Sequence, residues 1–235
     1  MTALQRLAIL SIALLLGACA TTGRGETSNA DPWEGMNRGV YAFNDGLDRA
    51  ILKPVAKGYD FVMPRFAKEG VNNFFGNLED IAVGANNILQ GKVGQGASDF
   101  GRVVVNSVFG IFGLWDIATP LGLEKHDEDF GQTLAVWGVN SGPYLMLPLF
   151  GPSTLRDGPA KVVTPSWAYS YWWNSDVSWG LFGLDVVRTR TNLFQAEGVL
   201  DEAALDKYSF IRDAWVQRRR NAIYDGSPPR PKEEE

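Results

Sequence analysis

The chain contains one cysteine, Cys19, and one histidine, His126. With a single imidazole, a nucleophilic serine or cysteine would depend on His126 alone as its general base. The residues that follow it are Asp127, Glu128 and Asp129, which is typical of an exposed acidic turn, with a catalytic histidine as the alternative. These carboxylates lack the spacing of a calcium loop, and zinc would need further cysteine or histidine ligands. The sequence therefore predicts no catalytic residues and no metal site.

Short motifs of other chemistries are incomplete. The segment Gly151-Pro152-Ser153-Thr154-Leu155 lacks the final glycine of a hydrolase nucleophile elbow. The segment Gly94-Gln95-Gly96 lacks the third glycine of a dinucleotide loop, and no Walker loop occurs. We therefore expect neither an enzyme nor a bound cofactor.

Cys19 ends an N-terminal segment with three parts. Arg6 supplies a positive charge, residues 7–16 are mainly apolar, and residues 17 and 18 are small. This is the order of a secretory signal peptide and its cleavage site, and residues 16–19 resemble the bacterial lipoprotein box, in which the cysteine is lipidated. A plain signal peptide with a chance cysteine is the alternative, but a lone thiol would have no disulfide partner in an oxidising compartment. We predict lipidation of Cys19 and, because no aspartate follows it, an outer-membrane location.

Composition sets the predicted domain limits. Removal of the signal peptide, residues 1–18, leaves 217 of the 235 residues, about one large domain. Residues 19–30 are small and polar, which is typical of a flexible, lipidated tether. Residues 227–235 are rich in proline and charge, which is typical of a disordered tail. The folded domain is therefore expected over residues 31–226.

Charge and hydropathy limit the partners. A net charge of −5 argues against nucleic acid, which needs a basic surface. The most apolar stretch, residues 103–118, is interrupted by polar residues and glycines, so the sequence predicts no transmembrane helix. Four of the eight tryptophans fall within residues 167–179, which indicates either an aromatic core or a belt at a membrane interface. We expect the mature chain to be anchored in a membrane, or to lie in it, without spanning it.

Three- and four-residue periodicity predicts a mainly α-helical domain. The predicted helices cover residues 31–52 with Asp31 as the cap, then 66–75 and 78–89 with a break near Gly76, a helix that ends near Gly110, and residues 129–137 and 201–225. Residues 138–152 differ, because glycines and prolines bracket an apolar stretch. That pattern favours an apolar hairpin or broken helix, with a buried strand as the alternative.

Candidate site residues surround this interrupted segment. Gly138 and Gly142 could act as hinges, because glycine admits backbone angles that other residues resist, or they could simply serve a tight turn. Tyr144 begins the apolar stretch after them. Arg156 and Asp157 follow it as a charged pair, with an ordinary surface ion pair of small energy as the alternative.

Long blocks of the chain resemble the MlaA (VacJ) family of phospholipid-binding outer-membrane lipoproteins. They occur in the family's order over about residues 31–226: Asp31–Arg38, Tyr41–Asn44, Leu47–Arg49, Lys53–Tyr59, Val71–Leu78, Leu89–Gly91, Glu128–Leu134, Gly142–Tyr144, Leu147–Asp157 and Tyr208–Trp215. Met36 and Val103 depart from the pattern, and residues 165–185 match it least well.

The resemblance implies a single ring-like helical domain that lies in one leaflet of the outer membrane of a Gram-negative bacterium, at its periplasmic face. Its implied function is to remove misplaced phospholipids from the outer leaflet and to pass them toward a soluble periplasmic carrier. The other implied partners are a porin trimer and, beyond the carrier, an ATP-driven inner-membrane complex. On this interpretation Arg156, Asp157, Gly138, Gly142 and Tyr144 are candidates for the lipid path. A structural porin-associated lipoprotein and a periplasmic lipid hydrolase are the alternatives.

Overall fold

The structure is a computed structural model that describes residues 31–163 and 175–229. It is mainly helical, as the sequence predicts. The helices are α1 (Glu34–Leu47), α2 (Lys53–Val62), α3 (Arg65–Leu89), α4 (Val93–Phe109), α5 (Phe130–Val136), α6 (Asp157–Val163), α7 (Ser175–Asn192), α8 (Phe194–Ala203) and α9 (Lys207–Ile223). A π-helical segment, Asp48–Leu52, joins α1 to α2. Strands β1 (Tyr144–Leu147) and β2 (Gly151–Thr154) pair as an antiparallel hairpin.

Contacts between the elements form a closed circuit. Helix α1 continues through the π segment into α2, which packs on α7, and α7 contacts α3. Helix α3 contacts α5, α5 contacts α9, and α9 contacts β2, whose partner β1 packs on α1. Helix α4 packs along α3, and α8 contacts both α7 and α9. This circuit agrees with the predicted ring-like arrangement.

The start of the domain differs from the prediction in two ways. The helix predicted over residues 31–52 is divided, because α1 ends at Leu47 and the π-helical segment Asp48–Leu52 follows it; α2 then begins at Lys53, with Pro54 in its first turn, where a missing N–H costs nothing. Asp31 is not the cap of α1. Trp33 occupies the N-cap position without a side-chain bond, and Asp31 is buried against other elements.

Helix α3 is continuous through the break predicted at Gly76-Asn77. The side-chain amide of Asn77 donates to Ser107 Oγ on α4 at 3.0 Å, so it forms a tertiary bond instead of competing for the helix backbone. The helix predicted to end near Gly110 is confirmed as α4. The helix predicted over residues 129–137 is confirmed as α5, with Asp129 as its N-cap.

The single helix predicted over residues 201–225 is wrong, because α8 ends at Ala203 and α9 begins at Lys207. The capping residue is Asp206, whose carboxylate accepts hydrogen bonds from the backbone N–H groups of Tyr208 and Ser209. Since an aspartate N-cap satisfies free N–H groups at a helix start, Asp206 rather than Asp201 sets where the last helix begins.

Burial is inverted relative to a typical soluble domain. Among the described residues, nine buried side chains are hydrophobic and nineteen are polar or charged, whereas soluble proteins bury mainly apolar groups. The interface between α3 and α4 is polar: Arg102 Nε donates to Asp80 at 3.1 Å, and Asn87 donates to Asp99 at 2.7 Å. Large apolar side chains are instead exposed along the outside of the fold. None of the described helices is both long enough and apolar enough to cross a bilayer.

Candidate functional site

Two cavities adjoin at Trp215 and Arg219 of α9. The first, the hairpin cavity, has a volume of about 510 Å³ and is lined by the β-hairpin, by the residues between α5 and β1, and by α9. The second, the α6 cavity, has a volume of about 430 Å³ and is lined by α6, α9 and the start of α5. Four of the predicted site residues, Gly138, Gly142, Tyr144 and Arg156, line the hairpin cavity, and Asp157 lines the α6 cavity. The structure therefore brings the five candidates together around one pair of cavities.

A network of charges separates the two cavities. Arg156 Nε donates to Asp157 Oδ1 at 2.7 Å, and Arg219 Nε donates to Asp157 Oδ2 at 2.9 Å. Arg219 also binds Asp129 through both terminal nitrogens, one of them at 2.8 Å from Oδ1. The Arg156 and Asp157 side chains are only 4% and 3% exposed, so the pair is buried rather than an ordinary surface ion pair.

The arginines hold the two carboxylates ionised. Burial opposes ionisation of Asp157, but hydrogen bonds from Arg156 and Arg219 outweigh it and lower its pKa. Burial likewise opposes ionisation of Asp129, and the hydrogen bond from Arg219 lowers the pKa of that group. The network is therefore charged at neutral pH, with two cations bonded to two anions.

Lys161 of α6 carries a further charge beside the network. Burial and the nearby charge of Arg219 lower the pKa of Lys161. Its ammonium donates to the carbonyl oxygens of Pro152 at 2.7 Å and Phe150 at 3.4 Å. No carboxylate within the described ranges forms an ion pair with Lys161, so its bonds fix α6 to the hairpin without neutralising the charge.

Tyr144 lies at the centre of an aromatic cluster under the hairpin. Its ring makes edge-on contacts with Tyr208 at 6.4 Å and Trp215 at 5.9 Å between ring centroids. The Tyr208 hydroxyl donates to buried Asp31, which also accepts from Asn37. The Tyr144 hydroxyl has no hydrogen-bond partner in the part of the chain that the structure describes, and burial and the charge of Asp31 raise its pKa.

Two asparagines of α1 bind the hairpin. The Asn37 side chain donates to the carbonyl of Tyr144 at 3.1 Å and accepts from the N–H of Met146 at 2.8 Å. Asn44, two turns along the same face, binds the carbonyl of Leu147 at 3.0 Å and the N–H of Leu149 at 2.9 Å. These amides pair with backbone groups of β1 and of the turn that follows it, so the hairpin is fixed to α1.

The hairpin predicted within residues 138–152 is confirmed, as two short β-strands rather than a broken helix. Gly138 has φ +90° and ends α5, with its N–H bonded to the carbonyl of Ala135 at 2.9 Å. Gly142 has φ +65°, and a Cβ there would lie 3.0 Å from Cβ of Leu155. Both glycines therefore occupy turns that require left-handed backbone; hinging at either one remains a prediction.

Other candidate residues lie elsewhere. The predicted exposed position of His126 is wrong, because its ring is mostly buried and Nδ1 lies 2.8 Å from Asp99 Oδ1. Among the described residues no cluster of His, Cys, Asp or Glu is arranged to hold a metal ion. Cys19 and most of the tryptophan-rich stretch lie outside the described residues. Trp179 of α7 is described, and the residue is 69% exposed.

Several site residues were not predicted from the sequence. Lys161, Arg219 and Arg220 line the cavities, although the arginines at the end of the last helix suggest only a favourable interaction with its carboxyl end. The seven-residue spacing of Asn37 and Asn44 was the one available signal for the bonds to the hairpin, since polar residues repeated on one helix face need partners when buried.

Comparisons with known proteins agree on one family. A family model described as "MlaA lipoprotein" matches residues 29–222. The chain is 36% identical over 223 residues to the "Intermembrane phospholipid transport system lipoprotein MlaA" of Shigella flexneri and to that of Escherichia coli K12, covering 93% of this chain and 88% of each relative. The Haemophilus influenzae protein of the same name is 31% identical over 225 residues, covering 90% and 89%.

A solved structure is also similar. It is described as "Structural basis for maintenance of bacterial outer membrane lipid asymmetry", and it is 34% identical to this chain with a TM-score of 0.69. The match covers 84% of this chain and 99% of that one. The likeness therefore extends over most of the helical domain described above.

Proposed function

The chain belongs to the MlaA lipoprotein family, and from this premise we propose that it removes misplaced phospholipids from the outer leaflet of the outer membrane. The relatives are named for intermembrane phospholipid transport, and the similar solved structure concerns outer-membrane lipid asymmetry. The lipid would pass to a soluble periplasmic carrier, with a porin trimer as the partner in the membrane. This is transport rather than catalysis, and it maintains the lipid asymmetry of the outer membrane.

The observation that carries the proposal is the inverted burial of the fold. A charged phospholipid head group crosses hydrocarbon only at high cost. A protein with polar groups inside and apolar groups outside lowers that cost, because head groups can follow the interior while acyl chains contact apolar walls. The buried Asp80–Arg102 pair between α3 and α4, and the Arg156–Asp157 pair at the cavities, are parts of such an interior.

The end of α4 shows the apolar exterior most clearly. Val108, Phe109, Phe112 and Trp115 are all exposed, and large contiguous apolar surfaces mark membrane or partner contacts. Phe112 has φ +55°, a conformation that is unfavourable for a bulky residue. Its backbone N–H donates to the carbonyl of Ser107 at 3.1 Å, so the turn is held while its side chain stays outside. We take this surface to lie among acyl chains of one leaflet.

The N-terminal segment supplies the attachment in this proposal. Residues 1–18 are the signal peptide, Cys19 is lipidated, and residues 19–30 tether the domain of residues 31–226. Stable attachment needs more than one membrane signal. A lipidated cysteine together with the exposed apolar side chains of the domain provides two.

Co-purification of lipid tests the function against a purely structural role beside a porin. Full-length protein extracted in a maltoside detergent should carry bound phospholipid after extensive washing. Another lipoprotein of the same membrane, purified identically, gives the background. Lipid at the background level, together with retained porin, would favour the structural role and contradict transport.

A further inference from the structure

The hairpin cavity is unusually cationic for an acidic protein. Its lining includes Arg156, Arg219 and Arg220 and no carboxylate among the described residues, whereas the whole chain has a net charge of −5. We propose that this cavity is an anion subsite that holds the phosphodiester group of a phospholipid, with Arg220 as its principal charge. The proposal rests on the proposed function and assigns it a binding site.

Two of the three guanidinium charges are already compensated. Arg156 uses Nε and Nη2 to bind Asp157, and its Nη1 donates to the carbonyl of Val139 at 3.3 Å. Arg219 binds Asp157 and Asp129. These two arginines and two aspartates together carry no net charge, and the hydrogen bonds among them hold that wall of the cavity in place.

Arg220 is different. Its Nη2 donates to the carbonyl of Pro229, and it forms no ion pair with any described residue. A guanidinium has five N–H donors in a planar fork that suits phosphate oxygens. The net positive charge of the cavity and most of its free donors therefore come from Arg220, at the edge that an entering head group would meet.

Tyr144 belongs to the wall of the same cavity. Its side chain is almost completely buried, and its hydroxyl has no surface open to the cavity. The charged groups that influence this hydroxyl are Asp31, Arg212 and Asp213 rather than the cavity arginines. Tyr144 therefore shapes the cavity, and Arg220 supplies the donors for an anion.

The rest of the lining favours a lipid phosphodiester over free phosphate. Trp215, Val216 and Ile223 of α9 present apolar groups to the cavity. Its volume of about 510 Å³ lies in the range of small-molecule sites and suits a head group with the first carbons of its chains. Free phosphate would leave these apolar walls without a partner.

Binding measurements on full-length protein in maltoside test this site. The probes are dihexanoylphosphatidylglycerol below its micelle concentration, dihexanoylglycerol, which has no phosphate, and inorganic phosphate. We expect the phosphatidylglycerol to bind and dihexanoylglycerol to bind at least tenfold more weakly. Arg220→Gln should weaken phosphatidylglycerol binding about tenfold or more, the loss of one charge-assisted hydrogen bond.

Arg65→Gln is the matched control, because the Arg65 side chain is 92% exposed, pairs with Glu69, and lines neither cavity. It should bind all probes like the wild type. Wild-type affinity in Arg220→Gln, or equal binding of dihexanoylglycerol, would overturn the anion subsite while leaving lipid transport in place. Inorganic phosphate that binds as tightly as the lipid would overturn the lipid assignment, and a wild type that binds no phospholipid would overturn the proposed function itself.

Discussion

Asp157 and Asp129 allow a matched test of the buried charge network, because both accept hydrogen bonds from Arg219. Their side chains are 3% and 41% exposed, respectively. Substitution of each by asparagine removes one negative charge with almost no change in shape. The two variants therefore differ mainly in how deeply the substituted side chain is buried and in which arginines lose a negatively charged partner.

The structure predicts very different costs. In Asp157→Asn, an NH2 group replaces one carboxylate oxygen, so buried Arg156 and Arg219 cannot keep all three of their bonds of 2.7, 3.2 and 2.9 Å, and both lose a negatively charged partner. A buried charge left without its partner costs about 3–5 kcal/mol of unfolding free energy. In Asp129→Asn, Arg219 keeps Asp157, asparagine is itself a good N-cap for α5, and the Asp129 side chain is partly open to solvent, so we expect a smaller cost of about 1–2 kcal/mol.

Thermal unfolding followed by circular dichroism, in maltoside at several pH values, measures the difference. Hydrogen bonds from the arginines hold the pKa of Asp157 below the ordinary value of 3.8 in the folded protein. A carboxylate whose pKa is depressed by folding contributes its full stability above the unfolded pKa and loses it as pH falls through the folded one. The gap between wild type and Asp157→Asn should therefore be full from pH 7 to pH 5 and should shrink below pH 3.8.

Two results would refute this reasoning. One is an Asp157→Asn variant that is no less stable than Asp129→Asn at pH 7, which would mean that burial does not determine the cost. The other is a gap between wild type and Asp157→Asn that does not change between pH 5 and pH 3, which would mean that ionised Asp157 is not the source of the stability.

Four other substitutions address the anchor, the proposed hinge and the bonds to the hairpin. Cys19→Ala should leave the protein unprocessed or soluble in cell fractionation, and an unchanged outer-membrane fraction after a carbonate wash would contradict the lipid anchor. Gly142→Val forces a β-branched residue to φ +65° with its Cβ 3.0 Å from Leu155; if the segment gates lipid, surface phospholipid should change at normal protein abundance, whereas intact asymmetry means that the glycine only serves a turn. Asn37→Ala, at a fully buried position, should cost about 2–3 kcal/mol in thermal unfolding because it leaves buried backbone groups of β1 unpaired. Asn44→Ala, at a half-buried position, should cost about 1 kcal/mol, and equal losses would contradict this account of the hairpin.

Sequence periodicity located most helices but misplaced several of their ends. A sequence signal for a helix end is ambiguous where the polar side chain forms a tertiary hydrogen bond instead. Asn77, next to a glycine, resembles a turn residue, yet it bonds to α4 and the helix continues. Asp31 resembles a cap but is buried beneath Tyr208, and Asp206 starts the last helix where Asp201 was expected. The first two errors concern a polar residue whose partner lies far away in sequence, and the third concerns two aspartates that could each cap a helix.

The candidate site was predictable only in part, because sequence patterns are local. Gly138, Gly142, Tyr144, Arg156 and Asp157 are close in sequence to the interrupted apolar segment, so a local pattern marks them, and all of them line the cavities. The other cavity residues lie on α6 and α9. They reach the cavities only through tertiary packing, which no local sequence pattern reveals. The β-strands were also obscured, because the glycines and prolines that bracket the hairpin weaken a short strand pattern.

Phospholipid exposed at the cell surface tests the central claim most directly. Deletion of this gene in its own bacterium, followed by labelling of outer-leaflet phospholipid in intact cells, should show a rise relative to the parent strain. Return of the full-length gene at its native level should restore the parental value. An unchanged amount of surface phospholipid in the deletion strain, with the porins at normal abundance, would contradict a role in outer-membrane lipid asymmetry.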